Sequence, residues 1–222
     1  MNQRRSAKLA PVATKLRNPK MAKILNCAER EFAARGYSAT PLHRIAAAAK
    51  VNQALINYYF GSKQQLYQAV FHRRGVALSQ KRLDLLEALE KSTNAQLAVE
   101  DLVSSFLRPA ISMLYGESSA KDFLRLQARL QNEPKEIAAR LRASVYDTTT
   151  RAYIERFKLA LPHINSNAIV WRMTMMIGAY LYVVADPYRL EQLSDGACNV
   201  SDQEEVLRQL STFLAGGFRS PI

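Results

Sequence analysis

Side chains that can recognise nucleic-acid bases occur at helical spacing in one short stretch, residues 40–63. Two helical segments are predicted there, because Thr40 and Asn52 are typical N-cap residues and Gly61 ends the second segment. Two short helices joined by a tight turn form a helix-turn-helix, whose second helix can enter the major groove of DNA. The candidate DNA-binding residues are Thr40, His43, Arg44, Asn52, Gln53, Ala54, Asn57, Tyr58, Tyr59 and Lys63.

The chemistry expected of the second segment is base and phosphate recognition. Gln53 and Asn57 carry amides that hydrogen-bond base edges, and Ala54 permits close approach to a thymine methyl group. Lys63 falls in the first turn of the following helix, beside free backbone N–H groups, where a phosphate is its natural partner. The alternative interpretation is a small helical bundle with a polar edge.

No residue pattern typical of catalysis or metal binding stands out. The two cysteines are far apart without CxxC spacing, and the three histidines form no HExxH-type pair. Glu29 and Glu31 are interpreted as solvated helix residues rather than catalytic acids. No catalytic residue, metal ligand or cofactor is therefore predicted, and the protein is not expected to be an enzyme.

The basic charge is concentrated in the N-terminal third of the chain. Residues 1–75 contain 14 Lys and Arg residues and two acidic residues, whereas the remainder contains 17 of each kind. The whole formal excess of +12 therefore accompanies the predicted helix-turn-helix. This segregation is typical of a DNA-binding head on a neutral body, and it predicts strongly salt-dependent binding to double-stranded DNA.

Residues 1–18 are basic and rich in small residues, with no sustained apolar run. They are predicted to form a flexible basic arm that follows the DNA. The alternative is a transit peptide, which would also be Arg-rich and poor in acidic residues. No secretory signal is recognised, so a cytoplasmic location is expected.

The same residues resemble a known family. VNQALINYYFGSKQQLYQAV is similar to the DNA-binding signature of TetR-type bacterial repressors, and ILNCAEREFAARGYSAT resembles the first helix and turn of that family. The resemblance covers residues 20–75. Two positions depart from the family pattern: Lys50 stands where a turn glycine is usual, and Asn57 stands where a tyrosine usually contacts phosphate. NYYFGSK and the C-terminal LRQLSTFLAGGFRSPI are similar to a fatty-acid-responsive branch of the family.

The rest of the chain is predicted to be helical almost without interruption. A long helix capped by Ser62 is expected to run from the head into the body. Pro109 is expected to kink or split the next helix, which Thr93 and Gln96 cap. This helix is predicted to span residues 95–115. It is followed by predicted helices over residues 118–131, 134–161 and 168–185 and by a last helix capped by Ser201.

The predicted fold class is therefore all-α. The basic arm (residues 1–18) is followed by an N-terminal three-helix helix-turn-helix domain (residues 19–63). Residues 64–222 are predicted to form a C-terminal helical bundle for ligand binding and dimerisation.

The segment from Ala168 to Ala185 is apolar nearly all round. Arg172 interrupts this apolar run and leaves 13 residues up to Ala185. This is fewer than the ~20 residues of a membrane-spanning helix, so a core helix without membrane association is predicted. Such a helix must be covered by the core on one side and by a second subunit on the other. A two-fold homodimer through this helix and the last one is predicted, as in the TetR family, and it implies a palindromic operator. The candidate interface residues are Trp171, Thr174, Gly178, Leu181, Leu207, Leu210, Phe213 and Leu214.

Apolar and aromatic side chains of the body are candidates to line an effector cavity. Ordinary core packing is the alternative for each of them. The resemblance implies a small hydrophobic effector, and the branch features favour a fatty acid or an acyl-CoA. The candidate ligand-binding residues are Phe106, Met113, Phe123, Gln127, Arg129, Tyr146, Met173 and Met176, with Arg125 and Arg172 as further partners for an acidic head group.

Three functional classes follow from these observations. The leading one is a sequence-specific transcriptional repressor that binds DNA as a dimer and is relieved by a ligand. The second is a DNA-binding regulator or architectural protein without a small-molecule effector. The third, a helical enzyme, has no supporting residue pattern.

Overall fold

The computed structural model describes residues 18–92 and 97–221, and within these ranges the chain is helical without β-strands. The predicted all-α fold class is therefore confirmed. All but the last residue of the predicted arm lies outside the described residues, as does the predicted cap at Thr93 and Gln96. In chain order the α-helices are α1 (Pro19–Arg35), α2 (Leu42–Ala49), α3 (Gln53–Phe60), α4 (Lys63–Ser92), α5 (Val99–Leu114), α6 (Ser118–Arg129), α7 (Lys135–Leu141), α8 (Asp147–Ala160), α9 (Ser166–Ala185), α10 (Tyr188–Leu193) and α11 (Gln203–Arg219).

Helices α1, α2 and α3 form the head. The side chain of Asn18 caps α1 by accepting a hydrogen bond of 3.0 Å from a backbone N–H in the first turn. Gly36 ends α1 with a φ of 79°, a conformation that glycine adopts without strain. Each of the three helices buries one isoleucine completely in the core: Ile24, Ile45 and Ile56.

Helix α4 joins the head to the body, as the sequence predicts. Ser62 caps it by accepting a 3.2 Å hydrogen bond from the Gln65 N–H. In its second turn the Tyr67 ring packs edge-on against Phe32 of α1, with 4.8 Å between the ring centroids. Farther along, α4 buries Leu86 in the body, where it packs against α5 and α8. One helix therefore contacts both parts of the protein.

Pro109 does not split α5, so that part of the prediction is wrong. The helix begins at Val99 rather than at residue 95 and continues through Pro109 to Leu114. A proline inside a helix removes one backbone hydrogen bond. Here α5 packs against α4 and α11 and buries Pro109 itself, so tertiary packing outweighs that loss.

The predicted helical run from 134 to 161 is present, but it contains a π-helical segment, Arg142–Tyr146, between α7 and α8. Gly75 of α4 lies against this segment, because a Cβ atom there would be 2.6 Å from Cγ1 of Val145. The Ser79 hydroxyl, one turn along α4, donates to the Val145 carbonyl at 2.7 Å. The glycine thus allows α4 and the π-helical segment to approach closely.

Helix α9 is 20 residues long and continuous through Arg172, the residue that interrupts its apolar run. Its guanidinium donates to the carbonyl oxygens of Phe218 at 2.6 Å and Ser220 at 2.5 Å, at the C-terminus of α11. Among the described helices α9 alone is long and apolar enough to cross a membrane, with a mean hydropathy of 1.5, a test that core helices of soluble proteins also pass. One side of α9 packs against α5, α6, α8 and α11.

The cap of the last helix is Asp202 and not Ser201. The Asp202 carboxylate accepts hydrogen bonds from the N–H groups of Glu204 at 2.9 Å and Glu205 at 3.2 Å. Because aspartate also brings a negative charge to the positive end of the helix dipole, it is the more effective cap at this end.

Candidate nucleic-acid interface and effector cavity

Helix α3 presents one continuous polar face to solvent. Gln53, Ala54 and Asn57 are exposed, and Tyr58 is 81% exposed. The opposite face is anchored by Ile56, which is fully buried in the head core. The structure therefore brings four of the predicted DNA-binding residues together on the surface of one helix.

The turn between α2 and α3 has the left-handed residue that a tight turn requires. Lys50 occupies this position with φ 53° and ψ 49°, and its N–H donates to the Ala47 carbonyl at 3.0 Å. Asn52 then caps α3, as predicted, by accepting a hydrogen bond from the Ala54 N–H at 2.8 Å. Lysine thus adopts the conformation for which a glycine would be the unstrained residue.

Thr40 is neither a helix cap nor a surface residue. Its side chain is fully buried, and its hydroxyl is 2.7 Å from the Gly36 carbonyl oxygen and 3.2 Å from that of Glu31. Pro41 takes the N-cap position of α2 without a side-chain hydrogen bond. Both predictions for Thr40 are therefore corrected, because its hydroxyl bonds back to α1 instead of forward to α2.

Several other candidate residues are held by contacts within the head. Arg44 Nε lies 2.5 Å from a carboxylate oxygen of Glu31, while its side chain stays 45% exposed. The Tyr59 hydroxyl accepts a hydrogen bond from the Asn18 side chain at 2.9 Å. His43, in contrast, is simply exposed. These contacts fix the orientation of Arg44 and Tyr59 before any partner is bound.

Lys63 lies at the start of α4, as predicted, against the loop that follows α1. Its ammonium donates to the Ser38 carbonyl at 3.3 Å and lies 4.5 Å from the centre of the Tyr37 ring. Burial lowers the pKa of Lys63, and the nearby carboxylate of Glu133 opposes this effect. The lysine is therefore a fixed cation at the edge of the head.

Glu29 is a buried ion-pair residue, so the prediction that it is solvated is wrong. Its side chain is 1% exposed and accepts hydrogen bonds from Arg73 at 2.9 Å and Arg74 at 3.1 Å. Arg74 also donates to the Ser119 hydroxyl at 2.8 Å. This network connects α1 of the head with α4 and α6, and it uses two cations of the basic N-terminal third for structure.

A second connection between head and body lies at the turn after α1. The Tyr37 N–H donates to a carboxylate oxygen of Glu133 at 2.8 Å. Phe123 of α6 packs against Phe71 of α4 with 5.9 Å between centroids, and Arg129 lies beside Gly36. Phe123 and Arg129 thus belong to the junction of head and body rather than to a ligand site, which corrects their predicted role.

The body contains a cavity of about 400 Å³ between α4, α5, α6, the π-helical segment and α9. Three predicted ligand-binding residues, Phe106, Gln127 and Tyr146, line it. The other lining residues are Arg82, Leu130, Gln131, Arg142, Asp147, Thr150, Thr174, Ile177, Gly178, Tyr180 and Leu181.

Three further ligand candidates lie elsewhere. Met173 and Met176 of α9 are 1% and 0% exposed. They pack in the core and do not line the cavity. Met113 lines a separate open groove. The apolar pattern of the sequence cannot distinguish these positions, because core and cavity walls require the same residue types. The two arginines named as head-group partners are also outside the cavity, since Arg125 pairs with Asp122 and Arg172 binds α11.

Sequence reasoning missed the most unusual residue of the cavity, Arg82. It is 2% exposed, its Nε donates to the Phe106 carbonyl at 2.8 Å, and its Nη2 has no hydrogen-bond partner. The sequence did contain a signal. Arg82 lies four residues from both Leu78 and Leu86 on the buried stripe of α4, where an apolar residue is the expectation.

The predicted dimer residues divide into two groups. Trp171 of α9 and Phe213 of α11 are 67% and 75% exposed. Thr174 and Gly178 are also exposed and lie on the same side of α9 as Trp171. Leu210 is half-buried. Leu181, Leu207 and Leu214 are buried within the single chain, so the predicted contact of these three with a second subunit is wrong.

Neighbouring exposed residues were missed in that prediction. Val170, Met175 and Tyr182 of α9 are 45%, 62% and 62% exposed. Together with Trp171 and Gly178 they follow the helical repeat along one face. We call this face of α9, with the exposed Phe213 of the adjoining α11, the α9/α11 surface.

An all-α chain with a helix-turn-helix on a basic head, joined by one long helix to a helical body, has the architecture of a DNA-binding transcriptional regulator. Residues 24–70 match the model of bacterial regulatory proteins of the tetR family. Residues 104–217, more than half of the chain, match the tetracyclin repressor-like C-terminal domain. The protein therefore belongs to the TetR family, which confirms the resemblance seen in the sequence.

Curated relatives match a part of the chain. Over 58 residues the chain is 45% identical to an HTH-type transcriptional repressor of Mycobacterium tuberculosis and to an HTH-type transcriptional regulator of Mycobacterium bovis. Each match covers 26% of this chain and 31% of the relative. The chain thus matches about a third of the length of these relatives.

Solved structures match the whole fold. A TetR-family transcriptional regulator from Bordetella parapertussis has a TM-score of 0.66 at 13% identity, over 89% of this chain and 94% of that one. The fatty acid degradation regulator FadR from Bacillus halodurans has a TM-score of 0.59 at 17% identity, over 89% and 99% of the two chains. The ketosteroid transcriptional regulator KstR2 of Mycobacterium tuberculosis has a TM-score of 0.60 at 13% identity, over 90% and 95%. At these identities the likeness shows the fold.

Proposed function

We propose that this protein is a transcriptional repressor that binds a palindromic operator as a homodimer and releases it when a small apolar molecule fills the cavity. The observation that carries the proposal is the combination of the exposed polar face of α3 with a cavity of about 400 Å³ in the body. A cytoplasmic location accompanies this role.

In the proposed complex α3 enters the major groove. Gln53 and Asn57 can each present an amide to base edges, and Tyr58 can reach a base or a phosphate. Lys63 and Arg44 are fixed at the edges of the head, where they can meet the phosphate backbone. The residues proposed to specify sequence therefore differ from those proposed to give general affinity.

The homodimer is proposed to form through the α9/α11 surface. Apolar side chains that are more than half exposed, such as Trp171 and Met175 of α9 and Phe213 of α11, are unusual on a monomer. Gly178 adds a position where nothing lies within 4 Å of an added Cβ, so a partner helix can approach closely. Two-fold symmetry would place the two α3 helices about one turn of DNA apart, ~34 Å.

The proposed coupling runs through α4. Tyr146 lines the cavity, and its hydroxyl would be 3.0 Å from a Cβ atom at Gly75. A ligand that moves the π-helical segment therefore pushes directly on α4 at Gly75, two residues from Arg73, which holds α1 through Glu29. Such a shift would change the spacing of the two heads and favour the state that does not fit the operator.

Selection from a random double-stranded library, followed by fluorescence anisotropy on the selected sequence, tests DNA recognition. Gln53→Ala and Tyr58→Ala should each reduce the preference for that sequence over random DNA by about 1–3 kcal/mol. Lys63→Ala should weaken binding to both DNAs about equally. Gln80→Ala, which changes an exposed glutamine of the body, is the matched control. If both α3 variants keep the full preference, α3 is not the reading helix.

A further inference from the structure

We propose that the effector is an apolar monocarboxylate whose carboxylate binds Arg82 inside the body cavity. This inference deepens the proposed function and rests on it, because it assigns the chemistry of the molecule that fills the cavity.

Arg82 is a buried cation whose hydrogen-bonding capacity is incomplete. Nε is satisfied by the Phe106 carbonyl at 2.8 Å, and the guanidinium carbon lies 3.8 Å from the centre of the Phe106 ring. Nη2 is buried without a partner. An aromatic face offsets part of the desolvation of a cation, but a free N–H of a buried guanidinium is best satisfied by an anionic oxygen.

The protein does not supply that anion. In residues 18–92 and 97–221 Arg82 takes part in none of the ion pairs. The charged residues of the cavity lining are Arg82, Arg142 and Asp147, and Asp147 is unpaired with either arginine. The lining therefore carries one more positive than negative charge, which a single carboxylate would balance.

Two other polar groups of the lining have unused hydrogen-bonding atoms. Burial raises the pKa of the Tyr146 hydroxyl, which therefore remains a neutral donor, and the structure gives it no partner. The amide of Gln127 engages the Tyr180 hydroxyl at 3.2 Å through one end, and its other end is buried and free. Because either orientation of the amide leaves one free end, a ligand with a hydroxyl beside its carboxylate would fit better than a plain acid.

The size and the walls of the cavity define the rest of the ligand. An apolar cavity of roughly 150 Å³ holds one benzene molecule, so about 400 Å³ accommodates a medium-length chain or a fused ring pair. Leu130, Ile177 and Leu181 supply apolar wall. A free acid is favoured over an acyl-CoA, because a thioester would present no negative charge to Arg82.

The test compares ligands that differ in the carboxylate. Isothermal titration calorimetry on the full-length protein would use octanoate against 1-octanol and 2-naphthoate against 2-naphthol, with 3-hydroxyoctanoate and octanoyl-CoA as further probes. At least one acid should bind about tenfold or more tightly than its neutral counterpart, as expected for a charge-assisted hydrogen bond. 3-Hydroxyoctanoate should bind more tightly than octanoate, and octanoyl-CoA more weakly.

Arg82→Met should remove the preference for the acid while keeping the size of the side chain. Arg125→Met, which removes an exposed arginine of α6 outside this cavity, is the matched control and should keep the preference. Circular dichroism and affinity for the selected DNA confirm that each variant is folded. The comparison of acid and alcohol in the unchanged protein needs no variant, so it stands even if Arg82→Met fails to fold.

The outcomes separate this inference from the proposed function. Equal binding of acid and alcohol, an acid preference that survives Arg82→Met, or no binding by either acid up to about 1 mM overturns the assignment of Arg82. If 1-octanol binds as well as octanoate and releases DNA, ligand relief stands without the carboxylate site. If octanoate binds through Arg82 without changing DNA affinity, the site stands and ligand relief fails.

Discussion

Replacing Glu29 by glutamine should destabilise the junction between head and body. Glu29 is 1% exposed and pairs with Arg73 and Arg74, whose side chains are 16% and 25% exposed. Glutamine keeps the volume but turns one carboxylate oxygen into an N–H group that faces guanidinium N–H groups. Breaking a buried pair costs about 3–5 kcal/mol, and partial rehydration of the two arginines reduces the loss to about 2–3 kcal/mol.

The measurement is thermal and urea unfolding followed by circular dichroism at one fixed protein concentration, because dimerisation would make the midpoint concentration-dependent. The expected loss corresponds to a fall in Tm of about 5–10 °C for a chain of this size. Affinity for the selected DNA should fall as well, because Glu29 holds α1 to α4 and, through Arg74 and Ser119, to α6.

Glu31→Gln is the matched control. Glu31 lies two residues away on the same helix and also contacts two arginines, Arg35 and Arg44, but both are 45% exposed. An exposed pair contributes less than about 1 kcal/mol and is screened by salt. Equal losses in the two variants, or a loss below about 1 kcal/mol for Glu29→Gln, would refute the argument that burial makes this pair important.

The remaining predictions concern the turn, the helix contact and the dimer. Lys50→Gly should raise the free energy of unfolding by about 0.5 kcal/mol, because relief of the left-handed conformation outweighs the added flexibility of the unfolded chain; an unchanged or lower value in urea unfolding would contradict this. Gly75→Ala should cost about 1–2 kcal/mol despite its better helix propensity, since the new methyl group meets Cγ1 of Val145 at 2.6 Å; Val145→Ala in the same chain should recover part of the loss. Phe213→Asp should convert a particle of twice 25.0 kDa into a monomer in sedimentation experiments. Leu193→Asp, at a residue of α10 that is also exposed, should leave the dimer intact. A protein without substitutions that is monomeric at micromolar concentration would disprove the α9/α11 surface as a dimer interface.

Local patterns gave the helix-turn-helix almost completely. The caps at Asn52 and Ser62 act within three residues of chain, so residue type alone predicts them. The apolar repeat that contains Ile56 fixes which face of α3 is polar. The same reasoning failed at Thr40, because its hydroxyl had a competing acceptor in the Gly36 carbonyl that sequence spacing does not reveal.

The body was predictable as helices but not as a site. Its helices are apolar on several faces. The apolar repeat therefore does not distinguish residues of the core from residues that line the cavity or contact a second subunit. Leu181, Leu207 and Leu214 therefore looked like interface residues although the chain buries them itself. Met173 and Met176 looked like cavity residues for the same reason.

The sequence by itself determined the helices, the caps, the polar face of α3 and the segregation of positive charge, because these properties depend on residues close together in the chain. Only the tertiary structure decided the environment of each charge. Glu29 is buried because α4 brings Arg73 to it from 44 residues away, and Arg82 is left unpaired because no carboxylate of the described residues reaches it. Burial and pairing depend on which helices pack together, and that information is not contained in local spacing.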